Sequence, residues 1–221
     1  MVKVIAFCTR YVDVSQLEIL KEAQKSPDIK VVGVDRGAHY LANKGYAMDL
    51  AVGDFDSVSE EEFEQLKTNS QEMIILPCEK DETDSEAALD AIMKRWPDAE
   101  SYFLYGALGG RLDHSLNNLW LVLQERFWSI RGRLHLIDDK NVVSFLEPGH
   151  HELVAREGMT YFSLISFGAV KGVNLSQCKY TLKNFSSDFP RSFISNEFLP
   201  EFLHAVVDFE EGLFIFIQSK D

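Results

Sequence analysis

Short apolar runs alternate with amphipathic stretches through residues 1–141. Val2–Phe7 is a run of strand length, and Lys30–Val34, Asp49–Val52, Met73–Leu76, Tyr102–Tyr105 and Arg133–Ile137 repeat it, the fourth stopped by Pro77. Between these runs the apolar positions move to helical spacing. Ser15-Gln16-Leu17-Glu18 has the form of a capping box and opens a helix to about Lys25. Ser57-Val58-Ser59-Glu60 starts another, carrying Phe63 and Leu66 inward. Thr83-Asp84-Ser85-Glu86 is a further capping box, followed by Ala87, Ala88, Ala91, Ile92 and Arg95 at helical spacing. After Tyr105, the positions Leu116, Leu119, Trp120, Leu123 and Phe127 mark one helix face. Such alternation predicts an α/β domain of Rossmann-like class, a mostly parallel sheet covered by helices on both faces.

The pattern changes after about Asn141. Eleven of the sixteen Phe and none of the three Trp lie beyond it, so the second core is built from different side chains. Short β-rich runs recur between turn signals such as Glu147-Pro148-Gly149, Lys171-Gly172 and Glu210-Glu211-Gly212, without sustained helical spacing. The expectation is two domains: residues 1–141, α/β and nucleotide-binding, and residues 142–221, an antiparallel β-sandwich. The second is small for a self-sufficient core and is expected to pack on a partner surface.

Net charge is −13, the sequence pI is about 4.9, and no Lys/Arg-rich run occurs, which argues against a nucleic-acid footprint. A protein this acidic binds an anionic nucleotide only with a cation or a local basic group. Cys8, Cys78 and Cys178 are odd in number and far apart, which fits a reducing compartment better than disulfides or thiolate zinc. No apolar run approaches a membrane span or a signal-peptide core, so a cytoplasmic location is expected.

The chemistry lies in the turns. Asp35 follows the second strand, Asp54 and Asp56 the third, Asp81 and Asp84 the fourth, and Gly106-Ala107-Leu108-Gly109-Gly110-Arg111 the fifth. If these strands are parallel, all four turns emerge along one sheet edge, where open α/β folds bind ligands. Gly109 and Gly110 let backbone amides approach a phosphate, a helix N-terminus follows, and Arg111 adds a planar cationic fork. Crowded carboxylates are unfavourable: two charges about 5 Å apart at an effective dielectric of roughly 20 repel by about 3 kcal/mol. A Mg²⁺ ion removes that penalty and binds through carboxylates and phosphate oxygens, so the pattern asks for a metal–nucleotide complex. Taken singly, each residue has a plainer role: Asp54, Thr83 and Asp113 as helix caps, Asp84 as a macrodipole charge, Asp35 as a loop residue. His114 either orients a carboxylate or touches phosphate. Convergence on one edge weighs for the phosphate site. The fingerprints G-x-G-x-x-G and G-x-x-x-x-G-K-[ST] are absent, which counts against a dinucleotide dehydrogenase and a P-loop ATPase.

Read together, Asp35-Arg36-Gly37-Ala38, Gly53-Asp54-Phe55-Asp56-Ser57, Asp81-Glu82-Thr83-Asp84, Gly106-Ala107-Leu108-Gly109-Gly110-Arg111-Leu112-Asp113-His114 and Ser195-Asn196-Glu197-Phe198 resemble the bacterial-type thiamine pyrophosphokinase family, in order and spacing. The resemblance implies transfer of diphosphate from ATP to the hydroxyl of thiamine, giving thiamine diphosphate and AMP, with Mg²⁺ required. It implies a homodimer with thiamine between the catalytic domain of one subunit and the β-domain of the other. By motif match, Asp54, Asp56, Asp81 and Asp84 form the metal and diphosphate cluster. Asp35, Gly37, Thr83, Gly109, Gly110, Arg111 and His114 lie along ATP, and Asp113, Ser195, Asn196 and Phe198 along thiamine. Asp56, Asp84, Arg111 and Asp113 are the catalytic candidates, with Asp56 or Asp84 accepting the hydroxyl proton. Two departures stand out: Arg36 stands where many members have a second glycine, adding a phosphate contact or pointing to solvent, and no Trp follows the Ser-Asn pair, leaving Phe198 as substitute or as a strand core residue. A non-catalytic thiamine or nucleotide sensor, and a kinase of another small alcohol, are the rival readings.

Overall fold

The structure, a computed structural model, describes residues 2–8, 14–79, 81–202 and 204–221, and of residues 14–17 the backbone alone. Ser15, expected to cap the first helix, therefore lies outside the described side chains. The chain divides into two units, Met1–Ser129 with Leu136–Asp138, and Ile130–His135 with Asp139–Asp221. The first is α/β with a mostly parallel sheet, and the second is antiparallel β.

In the first unit, β1 (Lys3–Phe7), β2 (Ile29–Val34), β3 (Leu50–Gly53), β4 (Met73–Ile75) and β5 (Ser101–Tyr105) lie in the order β5-β1-β2-β3-β4, every pairing parallel. Central β1 buries Val4, Ile5, Ala6 and Phe7, as an unbroken apolar run requires when both faces of a strand are covered. Five helices accompany the strands: α1 (Val14–Ala23), α2 (Arg36–Asn43), α3 (Glu60–Asn69), α4 (Asp84–Arg95) and α5 (Leu112–Trp120). The strand β6 (Leu134–Ile137) follows, and Gly106 N–H donates to the carbonyl of Ile137 at 2.8 Å.

Caps set the helix starts. α3 starts within the expected Ser57-Val58-Ser59-Glu60 stretch, with Ser59 as its cap. Its hydroxyl accepts from Glu62 N–H while Ser59 N–H donates to Glu62 Oε2 at 2.8 Å. Glu60, Glu61 and Glu62 then place negative charge at the positive end of the helix. α4 follows the same rule with Thr83 and Glu86.

Two elements differ from expectation. The Asp35-Arg36-Gly37-Ala38 stretch, expected as a loop, is the first turn of α2, which buries Gly37, Ala38, Leu41 and Ala42. Gly37 is what permits it: a Cβ there would lie 1.9 Å from the Phe7 carbonyl oxygen. The helix after β5 stops at Trp120, and the chain tightens into 3-10 turns over Leu121–Leu123 and Glu125–Arg133. With about three residues per turn, Phe127 departs from the face that Leu116, Trp120 and Leu123 share. Phe127 is buried, but Leu116, Trp120 and Leu123 are 39%, 53% and 43% exposed.

The second unit holds β7 (Asn141–Leu146), β8 (Gly149–Val154), β9 (Tyr161–Ser166), β10 (Val170–Ser176), β11 (Leu182–Ser187), β12 (Ser192–Asn196), β13 (His204–Phe209) and β14 (Phe214–Ser219). One antiparallel group runs β12-β9-β14-β7 and the other β11-β10-β13-β8. Phe162, Leu164, Phe214 and Phe216 of the first meet Leu153, Val173, Leu175 and Val207 of the second in one buried cluster. Phe209 crosses from one sheet to Phe214 of the other, edge to face at 5.1 Å. No helix of the described residues is long and apolar enough to cross a membrane.

Gly37→Ala is expected to lower stability by about 1–3 kcal/mol, because the added methyl must push α2 off the end of β1. Chemical denaturation of the two forms, with unchanged slope and a lower midpoint, checks this.

Candidate active site

Because β1 to β5 run parallel, the residues after Phe7, Val34, Gly53, Ile75 and Tyr105 emerge at one edge of the sheet. The turn after β3 is organised by Phe55. Its ring goes inward, 6.4 Å from that of Phe63, with the backbone at φ 51. The flanking carboxylates are left together: ligand atoms of Asp54, Asp56 and Cys78 all lie within 4.8 Å of one another. Asp56 N–H donates to Asp54 Oδ1 at 3.3 Å, which tightens the turn. Asp81 and Asp84 lie outside this trio.

Asp84 belongs to a second group, built around Cys8 at the end of β1. The Cys8 thiol is pushed up to about 12, first by burial and then by the nearby charges of Asp84 and Asp35, against a hydrogen bond from Ser85 that lowers it. Asp84 opens α4, and its Oδ1 atom is sealed from solvent. Asp35 sits at the N-cap of α2 with φ 47, a left-handed conformation costing about 1–3 kcal/mol for a non-glycine residue. Its N–H donates to Val52 O at 2.8 Å, and the missing side chain of Gly53 leaves room for its Cα. Asp35 therefore joins the two acidic groups.

Thr83 is engaged as a cap: its hydroxyl accepts from Glu86 N–H and donates to Glu86 Oε2 at 3.0 Å. Burial works to raise the Glu86 carboxyl, but the Thr83 amide, Gln124, the Thr83 hydroxyl and Asn117 together hold it below its ordinary value. Asn117 also donates to Thr83 Oγ1 at 3.3 Å, which ties the start of α4 to α5.

After β5, Gly106, Gly109 and Gly110 all have positive φ, and a Cβ at Gly109 or Gly110 would meet nothing within 4 Å. The turn is open to solvent at its two glycines. From below it is held by buried Asn118, whose amide donates to Ala107 O at 2.6 Å. Arg111 is clamped by Asp113, with Nε to Oδ1 at 3.1 Å and Nη2 to Oδ2 at 2.5 Å. Both side chains are exposed, so this pair orients the guanidinium more than it stabilises the fold. His114 N–H donates to Asp113 Oδ1 at 3.0 Å, and the His114 ring faces the same cleft. That cleft, about 540 Å³, is bounded by Cys8, Asp35, Ser85, Gly109, Arg111 and Asn118 among others. A second cleft of about 520 Å³ shares Asp35 and Arg36 with it and runs on between α2 and the start of α3.

In the second unit, Ser195 is exposed at φ 56, with its N–H donating to Ser163 Oγ at 3.2 Å. Asn196 is buried and internally engaged: Oδ1 accepts from the Tyr180 and Glu197 amides, and Nδ2 donates to Tyr180 O at 2.8 Å. Phe198 is half-buried against Phe162, centroids 4.6 Å apart.

Sequence reasoning missed Cys8, Ser85, Cys78 and Asn118, and Tyr40, Asn43 and Lys44 of the second cleft. Asn118 carried a faint signal as a polar residue inside an apolar helical pattern. The thiols carried none.

Arg111's hydrogen bond comes first among the influences that lower the Asp113 carboxyl to about 2 from its ordinary 3.8. A depressed value means the ionised pair is intact above that pH and is lost only as pH falls through about 2. Carbon-detected NMR titration of Asp113 should show that midpoint, and Arg111→Ala should return it towards 3.8.

Residues 21–131 match the family model for thiamin pyrophosphokinase, catalytic domain, and residues 150–214 match that for thiamin pyrophosphokinase, vitamin B1 binding domain. The chain is 32% identical over 192 residues to the thiamine pyrophosphokinase of Bacillus subtilis (strain 168), covering 86% of this chain and 87% of that one. Its fold is similar to the crystal structure of a thiamin pyrophosphokinase family protein from Enterococcus faecalis, with TM-score 0.86 and 31% identity over the whole of both chains. It is also similar to that of the Bacillus subtilis enzyme, with TM-score 0.81 and 26% identity, covering 100% of this chain and 99% of that one. With the acidic turns and the glycine turn on one sheet edge, and both family models matched in order, this chain belongs to the thiamine pyrophosphokinase family.

Proposed function

We propose that this protein transfers the terminal diphosphate of ATP to the hydroxyl of thiamine, giving thiamine diphosphate and AMP, with Mg²⁺. The observation that carries the reading is the single rim holding Asp54 with Asp56, Asp84 with Asp35, and the glycine turn with Arg111. The donor set fits a hard cation: Asp54 and Asp56 offer oxygens within 4.8 Å of each other, while the Cys78 sulfur beside them is too soft for magnesium. Asp54 and Asp56 would hold the ion, with Asp81 and Asp84 adding negative charge nearby. When bound, it would neutralise phosphate oxygens during the displacement.

The chain's own residues then do the positioning. The open amides of Gly109 and Gly110, ahead of α5, receive phosphate oxygens. Arg111 has five N–H donors; Asp113 takes two groups of the fork and leaves Nη1 for phosphate. Thiamine would approach past Asp113 of one subunit, and Ser195, Asn196 and Phe198 of the partner subunit would line its other side, Asn196 by holding backbone and not by a free amide. Asp56 or Asp84 accepts the hydroxyl proton as oxygen attacks the β-phosphorus and AMP leaves. Rate enhancement is then mostly orientation and charge stabilisation.

We also infer a homodimer that completes the thiamine site. The support is Leu112, Leu116, Trp120 and Leu123, 71%, 39%, 53% and 43% exposed, a stripe too apolar for a free helix face.

The test is direct. Purified protein with thiamine, ATP and Mg²⁺ should yield AMP and thiamine diphosphate, and chelation should abolish both products. Release of ADP in place of AMP would sink the diphosphate reading. Asp54→Asn and Asp84→Asn should each lower kcat by about 100-fold or more with the fold retained. Trp120→Glu should sediment as a monomer and lose thiamine turnover.

A further inference from the structure

Four acids fall within six residues at the start of α4: Asp81, Glu82, Asp84 and Glu86. The helix itself accounts for two of them. Glu86 closes the capping box on Thr83, and Asp84 stands in the first turn, where the macrodipole favours negative charge. Asp81 and Glu82 lie ahead of the cap, outside both devices, and repel the acids that follow. Holding that outer half of the turn in place takes a counter-charge from elsewhere.

It comes from 44 residues further along the chain, where Arg126 Nη1 donates to Glu82 Oε2 at 2.8 Å. Among the described residues, Arg126 is the cation paired with this turn. Its fork is itself braced. Nε donates to Gln124 Oε1 at 2.9 Å, Gln124 Nε2 donates to Glu86 Oε1 at 2.5 Å, and Arg126 Nη2 lies 3.5 Å from that same oxygen. Burial alone would raise the Glu86 carboxyl, but bonds from the Thr83 amide and Gln124 hold it below its ordinary value, so the centre of this ring stays charged. The guanidinium carbon sits 4.7 Å from the centroid of the Phe127 ring, which is fully buried. A planar fork held by an amide, a carboxylate and a buried ring points Nη1 in a fixed direction, and Glu82 meets it there. The pair is 37% and 39% exposed, so it adds little to global stability. Its effect is on the turn.

We propose that Arg126 is a positioning residue for the acidic turn: its fork, braced by Gln124, Glu86 and the Phe127 ring, holds Glu82 and so fixes Asp81 and Asp84 on the rim. The capping box sets the inner half of the turn and Arg126 sets the outer half. The inference rests on the reading of that rim as the magnesium–diphosphate site.

Hydrogen exchange of the ligand-free protein reads the turn directly. Arg126→Ala should speed exchange of the peptide spanning 81–86 by about tenfold and leave the denaturation midpoint unchanged. It should also raise the Mg²⁺ concentration that gives half-maximal diphosphate transfer by about tenfold, with the KM for thiamine unchanged. Loss of folded protein would lower the rate without moving that Mg²⁺ midpoint. Glu82→Ala should reproduce both changes, and the double variant should be no worse than either single one. Unaltered exchange or an unaltered Mg²⁺ midpoint in Arg126→Ala, a silent Glu82→Ala, or additive effects in the double variant overturns the proposal. If Arg126→Ala does not fold, Glu82→Ala removes the same bond from its other end and decides alone. Failure of the wild-type protein to form thiamine diphosphate rejects the preceding reading, and exchange at 81–86 then decides the tether. Product formed with exchange unaltered in the variants rejects the tether alone.

Discussion

Like charges do not gather without a counter-charge, and the parallel sheet forces them to gather. Every strand from β1 to β5 delivers its following turn to the same edge, so the acids of three different turns cannot separate. The packing beneath leaves no slack. α2 touches the end of β1 backbone to backbone at Gly37, and Asp35 sits against Gly53. The Asp54–Asp56 turn is pinned by a buried Phe55 between its two carboxylates. In a rim built this way, packing beneath the turns holds like charges close together.

Local rules are broken where that rim is made. Asp35 and Phe55 both adopt positive φ without being glycine, and each break lies one residue from a carboxylate that must point outward or is that carboxylate itself. The reserve that supports this strain is ordinary: two full capping boxes, unbroken buried strands, and the Glu86 network that joins α4 to Gln124. The acids also divide into two groups. Asp54 and Asp56 share space with a thiol, whereas Asp84 and Asp35 bracket a different one, half-buried and held protonated. Among the described residues, the first group alone brings three ligand atoms within 4.8 Å of one another, while Cys8 and Asp35 of the second line the glycine-turn cleft.

The second unit uses its polar residues differently. Asn196 satisfies itself within the chain and fixes the Tyr180 backbone, leaving Ser195 outward in a left-handed conformation. Phe198 packs on Phe162 at the margin of the buried cluster. Along the first unit, the exposed stripe of Leu116, Trp120 and Leu123 shows how a helix face written for burial is left uncovered within one chain.

The amino-acid sequence alone determined the strands of the first unit, the cap at Thr83, the helix start within Ser57-Val58-Ser59-Glu60, and the β-only character of the second half. These follow from local periodicity and short-range hydrogen bonding, which neighbouring residues carry by themselves. It also placed Asp35, Asp54, Asp56, Asp84 and Arg111 at strand ends, because a turn's position in a repeating αβ pattern is a local fact. Tertiary structure alone decided the rest. α2 is only eight residues long and starts beside a glycine whose value lies in contact with Phe7, about thirty residues earlier in the chain, so no local pattern announces it. The pairing of Cys78 with Asp54 and Asp56, the enclosure of Cys8 between Asp35 and Asp84, and the meeting of two clefts at Arg36 are distances through space between separate strand ends. Periodicity says which way a side chain faces along its own element. What stands opposite it is set by how the elements pack.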